Sequence, residues 1–540
     1  MTRPEFIPQT APAKRQRDLR LDFFRGMAMF IILLAHTPGN TWTLWIPARF
    51  GFSDATEIFV FCSGMASALA FGTVYLKRSW LLGSARILFR CWQVYWAHIG
   101  VVLATALLMV ALDQTGMGIE GKVYADWFPV NGIFNRTHEA LFGLFTLTYV
   151  PGLFDILPMY LVILAMIPLL MGVYLAGGRV AVFAFIGLTW LAANLAGYAR
   201  IMEGVEDATM LQKAIASLGE PLSWMNLRGL PWSDRATWFF NPFAWQLVFF
   251  TGFAFGMGWI PAPPVKRWLV LLAIAVVLIT LPLAWGKFYQ YLTGWIPEAY
   301  GGKLFWDARE AIEPLRWKTW IGGWRYLHFL AVAYLAWAAV GSGGWRLTEG
   351  WDMRVRKPQT RWMIRLALAP VLLLTAPYAY VEEIAALSPA LNTWIIDSYW
   401  LIEARWIGIF QLLHLAALVA FVWHTIGDRA RTWLVRDAFL ATVPVIRKVG
   451  TQSLAVFMVS IVVSRFNGWW LDVIDRDVWT RLLVNGTGIG VLIATAYLVS
   501  WFKRQPWRED KKRSPQAVGG TPLSGTPVGQ SPGQAEPLRA

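Results

Sequence analysis

Charge is scarce in this sequence. Only 15% of its 540 residues are Asp, Glu, Lys or Arg, against about 25% in an ordinary soluble domain. With 56% hydrophobic residues and a mean hydropathy of +0.46, that shortfall excludes a disordered chain and a soluble globular enzyme. Cysteine is scarcer still. The two cysteines, Cys62 and Cys91, both lie in apolar runs, which excludes a disulfide scaffold. No cluster of His and Cys has metal-ligand spacing, so no metal is expected. An internal repeat of the kind that marks many transporters is also missing.

What is present is long apolar runs. Roughly 17–25 apolar residues cross a bilayer as a helix. Twelve stretches qualify, at about 22–38, 54–76, 90–112, 153–175, 179–200, 238–259, 267–286, 324–342, 361–382, 406–426, 450–466 and 482–502. The first and eleventh are short. The expectation is an all-α, polytopic integral membrane bundle of 10–12 transmembrane helices. A further apolar piece, Ala140–Val150, is too short to span. A basic segment (1–21) precedes the membrane domain (22–502). A tail rich in Pro, Gly, Ser and Gln (503–540) follows it and reads as disordered.

The net charge of +15 sorts by side. With the N-terminus inside, the segments on that side hold 30 basic and 10 acidic residues, and the opposite loops 15 and 20. Basic residues favour cytoplasmic loops, so both termini are expected in the cytoplasm. A nucleic-acid footprint would gather the charge on one patch instead, so no nucleic-acid partner is expected.

Six charges fall inside or at the edge of predicted spans: Arg25, Asp54, Glu57, Asp155, Arg325 and Arg465. Ionisable groups at membrane depth are costly and point to function, with structural ion pairs as the competing reading. His36 ends the first span, where Pro38 and Gly39 stop the helix. The second span starts on the same side with Asp54 and Glu57, three apart on one helix face. A histidine and two carboxylates at one depth make a base and its orienting acid. Arg25 lies eleven residues before His36, about 16 Å along a helix and on nearly the same face. A cation deep in the span and a base at its outer end suit a long anionic carrier such as an acyl-coenzyme A. Arg86 and Arg90, four apart, are candidates for its phosphates, or ordinary cytoplasmic charge. Arg325 and His328 share a face; they serve a developing oxyanion, bind a substrate carboxylate, or form a packed polar pair. Gln411 and His414 repeat that spacing with a weaker claim. Trp127, Trp224, Trp232, Trp306, Trp317 and Trp320 in the outer loops fit a membrane-interface belt, and also sugar stacking.

Three stretches carry a family resemblance: Arg17-Asp18-Leu19-Arg20-Leu21-Asp22-Phe23-Phe24-Arg25-Gly26, Ala35-His36-Thr37-Pro38-Gly39-Asn40, and Gly51-Phe52-Ser53-Asp54-Ala55-Thr56-Glu57 continuing to Gly64. They resemble the OpgC family of membrane proteins tied to succinylation of osmoregulated periplasmic glucans, within the membrane acyltransferase-3 superfamily. Leu157-Pro158-Met159-Tyr160, Phe240-Asn241-Pro242 through Gln246, and Leu327-His328-Phe329-Leu330 are similar too. The resemblance implies a bacterial inner-membrane enzyme using an acyl-CoA donor, usually succinyl-CoA, on glucose hydroxyls of a periplasmic glucan or related glycan. His36 matches the superfamily's essential histidine, Arg25 the arginine of the same span, and Arg86 and Arg90 its donor-binding pair. The expected assignment is His36, Asp54 and Glu57 catalytic; Arg25, Arg86 and Arg90 for the donor; Arg325 and His328 for the substrate. No permanently bound cofactor is expected, and membrane lipids are partners. The rival readings are a secondary transporter, which expects a repeat and interrupted helices, a transferase using a lipid-linked glycan donor, which expects large outer loops, and a non-catalytic scaffold, which has no use for buried charge.

Overall fold

The structure is a computed structural model that describes residues 18–286, 303–351, 358–379, 390, 393 and 404–507. The basic segment before residue 18, the end of the 361–382 run and the tail from residue 508 lie outside the described residues.

Among the described residues, every predicted apolar run falls on a helix. The main helices are α1 (Leu19–His36), α2 (Ala55–Lys77), α3 (Trp80–Gln114), α4 (Ile156–Met202), α5 (Pro242–Met257) and α6 (Arg267–Ala284). They continue with α7 (Gly323–Val340), α8 (Pro358–Ala379), α9 (Ala404–Thr425), α10 (Phe439–Thr451), α11 (Ser453–Val473) and α12 (Val478–Arg504). Among the described residues, six helices are individually long and apolar enough to cross a membrane, or seven if the bent pair that begins with α7 counts as one span. The only strands described are the short antiparallel pair Arg228–Leu230 and Ser233–Thr237. The chain is an all-α membrane bundle. The Ala140–Val150 piece lies largely within a ten-residue helix, Thr137–Thr146.

Two predicted spans form a single folded-back helix. α4 breaks at Gly178, whose φ of 67° suits glycine. Beyond the break, Trp190 Nε1 and Asn194 Nδ2 each donate at 2.8 Å, to the carbonyls of Ile321 and Trp320. That loop leads into α7. Asp155, just ahead of α4, feels Lys318 of the same loop, so both arms of α4 end at one end of the bundle.

Glycine sets the helix spacing. A Cβ on Gly26 would sit 2.0 Å from the Ile446 carbonyl oxygen, and one on Gly450 1.8 Å from that of Asp22. α1 and α10 therefore touch backbone to backbone. Gly64 and Gly252 bring α2 equally close to α5 through the Phe249 and Phe61 carbonyls. Lipid is as apolar as leucine, so membrane helices associate through such close packing rather than by hydrophobic contrast. α5 fills the middle, with Trp245, Phe249, Phe250 and Phe253 fully buried. Leu271, Leu272, Leu278 and Ile279 of α6 stay exposed, as lipid-facing residues would.

Candidate active site at the His36 end

α1 begins with the Asp18 carboxylate accepting from the Arg20 amide and ends at His36. The chain after it is fixed. Thr37 Oγ1 donates to the Leu33 carbonyl at 2.9 Å, and Asn40 and Asn485 exchange side-chain bonds of 2.9 and 3.1 Å that tie the loop to α12. His36 is half-buried, and its Nδ1 is sealed from solvent, with the Ile32 backbone one turn back as its hydrogen-bond neighbour. Arg465, Lys318 and Asp54 lie within electrostatic reach of the ring.

The two carboxylates start α2 as a capping box. Asp54 Oδ1 accepts from the Thr56 amide at 2.7 Å, and Glu57 Oε2 accepts from the Asp54 amide at 2.8 Å. Their remaining oxygens meet cations. Lys318 Nζ is 2.6 Å and Arg325 Nη2 3.3 Å from Asp54 Oδ2, and Arg325 Nε is 2.5 Å from Glu57 Oε1. Two acids and two bases thus form a closed, formally neutral quartet, with Glu57 fully buried. Burial alone would raise the carboxyl of Asp54, at the cap just ahead of α2. Lys318 and Arg325 outweigh burial and hold it well below the usual carboxylate range.

This arrangement differs from a direct acid–histidine contact. Neither carboxylate hydrogen-bonds to His36. The acids lie at the histidine's end of the bundle, as their spacing indicates, but their lone pairs go to Lys318, Arg325 and the helix cap. Arg325 has both neighbouring carboxylates as partners. His328 is also engaged: its Nδ1 accepts from the Ser53 amide at 3.2 Å and lies 2.8 Å from Ser53 Oγ. Its Nε2 presses on Gly51, where a Cβ would come within 2.1 Å. His328 therefore clamps the Gly51–Ser53 turn that presents Asp54.

Two residues join the site without having been assigned a role in it. Lys318 lies half-buried in a loop, and its charge alone gave no sign of its partner. Its carbonyl accepts from Trp245 Nε1 at 3.0 Å, and Thr319's accepts from the Asn241 amide at 3.2 Å. Two bulky residues nearby, Leu153 and Ile321, hold positive φ values of 78° and 48°, the kind of strain that surroundings must impose. Arg465, on α11, is buried, and its guanidinium carbon lies 4.4 Å from the Trp127 ring centre. Close by in the sequence of contacts are two sealed polar groups. Asp155 and His98 are both buried, and the hydrogen-bond neighbours they meet are backbone groups: Phe240 for Asp155 and Phe154 for His98.

The donor-binding candidates lie apart from this site. Arg25 is buried and reaches α2, donating to the Cys62 carbonyl at 3.0 Å and lying 3.5 Å from Ser63 Oγ. Arg86 is exposed above the Phe71 ring; Arg90, one turn on, donates to Gln93 at 3.0 Å and feels Lys503 of α12. A 380 Å³ cleft between α3, α11 and α12 is lined mainly by apolar residues, among them Leu108, Val463 and Trp470, and does not include His36. His414 lies in α9, 2.9 Å from Thr375 Oγ1.

The model of the family described as OpgC protein matches residues 17–355 and 343–504. The chain belongs to the OpgC family. The OpgC match takes in every residue of the site, from Arg25 to Arg465, and supports an OpgC-type glucan acyltransferase role in general. No curated protein and no solved structure matches the chain.

Proposed function

We propose that this OpgC-family chain is an inner-membrane O-acyltransferase that moves a succinyl group from cytoplasmic succinyl-CoA to hydroxyls of a periplasmic glucan. Both termini then face the cytoplasm, in line with the charge asymmetry. The wider kinship with membrane acyltransferase-3 proteins belongs to the same reading.

The observation that carries it is the setting of His36. Its Nδ1 is sealed, while Nε2 is not among the sealed atoms. Nε2 is then the nitrogen available to a substrate proton. His36 Nε2 takes the proton of a sugar hydroxyl as that oxygen attacks the thioester carbonyl. A carbon–oxygen bond forms and the carbonyl oxygen becomes an anion. The intermediate collapses, the carbon–sulfur bond breaks, and the imidazolium returns its proton to the leaving thiolate. The products are a glucan ester and free coenzyme A. Asp54 and Glu57 act through Lys318 and Arg325, as positioning residues that hold the start of α2 against the loop before α7. Arg25, Arg86 and Arg90 serve the donor's anionic end.

Membranes carrying the chain should transfer label from succinyl-CoA to added glucan, and from acetyl-CoA far less. Transfer from neither donor would refute the acyltransferase reading and favour transport.

A further inference from the structure

Arg465 is a buried cation with no carboxylate partner among the described residues. Its relative exposure is 8%. It makes no ion pair among the described residues, and its Nε lies a long 3.5 Å from Ser464 Oγ. Such a charge is costly at membrane depth unless something anionic compensates it. The quartet at the His36 end offers nothing, because Asp54 and Glu57 are already matched by Lys318 and Arg325.

Helix packing puts Arg465 at the depth of His36. α1 and α11 run parallel: near their starts Asp22 meets Gly450, just ahead of α11, and beyond His36 a Cβ on Gly468 would lie 2.5 Å from Pro38. His36 is two residues before Pro38, and Arg465 three before Gly468. The Trp127 indole covers one face of the guanidinium. Stacking of this kind occupies the face and leaves the in-plane N–H fork to bind an anion, often bidentately.

We propose that Arg465 receives an anionic group of the reacting substrate at the His36 end. This rests on the acyltransferase reading above. The negative oxygen has two sources: the free carboxylate of a dicarboxylic acyl group, or the oxyanion formed on the thioester carbonyl. Both fit one guanidinium beside the base.

The test compares Arg465→Gln and Arg465→Lys with the unaltered chain in membranes, using succinyl-CoA and acetyl-CoA as donors. Losing a charge-assisted bond should lower succinyl transfer by roughly tenfold or more in the glutamine variant, with the lysine variant retaining more activity. If acetyl transfer is spared, the carboxylate is the ligand. If acetyl transfer falls equally, in kcat with KM held, the oxyanion is. A correctly inserted glutamine variant within twofold of the unaltered chain on both donors overturns the proposal. So does a lysine variant no better than glutamine. If the unaltered chain transfers neither donor, the acyltransferase reading itself has failed, which is a separate result.

Discussion

At the scale of single residues, the site depends on charge matching in a poorly solvated place. Removing one member of a buried ion group leaves its partner uncompensated, at a cost of about 3–5 kcal/mol. Arg325→Gln would leave Asp54 with Lys318 alone and Glu57 with no cation. The variant is expected to lose thermal stability in detergent by about that amount, and Arg325→Gln with Glu57→Gln to recover part of it. Two losses that simply add would show that the pair is not coupled. The sign of the pH effect follows from Asp54. Its carboxyl titrates lower in the folded chain than when unfolded, so its stabilisation is complete above the ordinary carboxylate range. It disappears only as pH falls through the lowered value. Thermal stability of the unaltered chain should therefore exceed that of Asp54→Asn by a constant margin across neutral and mildly acid pH. A margin that shrank between pH 8 and pH 6 would contradict this.

At the scale of elements, the turn before α2 and the backbone contacts of α1 decide whether the site assembles. Gly51→Ala would place a methyl group on the His328 ring. Overpacking of that kind costs about 1–3 kcal/mol. It should displace the Ser53 turn and lower transfer, and His328→Ala should relieve much of the clash. Equal activity of Gly51→Ala and the unaltered chain would show that the clamp is not needed. The capping box was legible in the sequence, because Asp54 and Glu57 three apart ahead of an apolar run carry a local signal. Their cationic partners were not, since Lys318 and Arg325 lie more than 260 positions away. Only the folded chain brings the loop before α7 to the start of α2. Arg465 stood out as a charge within an apolar run, but its stacking on Trp127 and its level with His36 depend on helix packing. The fold-back at Gly178 was legible only as two separate runs, 153–175 and 179–200.

At the scale of the whole molecule, bilayer thickness makes span length a strong sequence signal, and the runs fall on helices as far as they are described, although only six, or seven with the bent pair, are individually long and apolar enough to cross a membrane. The backbone contacts through Gly26, Gly450, Gly64 and Gly252 join these helices without any hydrophobic contrast between protein and lipid. Replacing Gly450 by Leu should separate α1 from α10 and reduce the amount of folded chain recovered from membranes; unchanged recovery would mean that this contact can be relaxed. The basic bias of alternate loops is the ground for expecting both chain ends on one side. In the proposed reaction, the imidazole at one end of this bundle is where a hydroxyl from one compartment meets a thioester from the other. The most direct measurement is the ester content of the glucan made by cells carrying His36→Ala, with membrane insertion confirmed. Loss of the base should cut esterification by roughly a hundredfold or more; ester content equal to that of the unaltered chain would contradict the account.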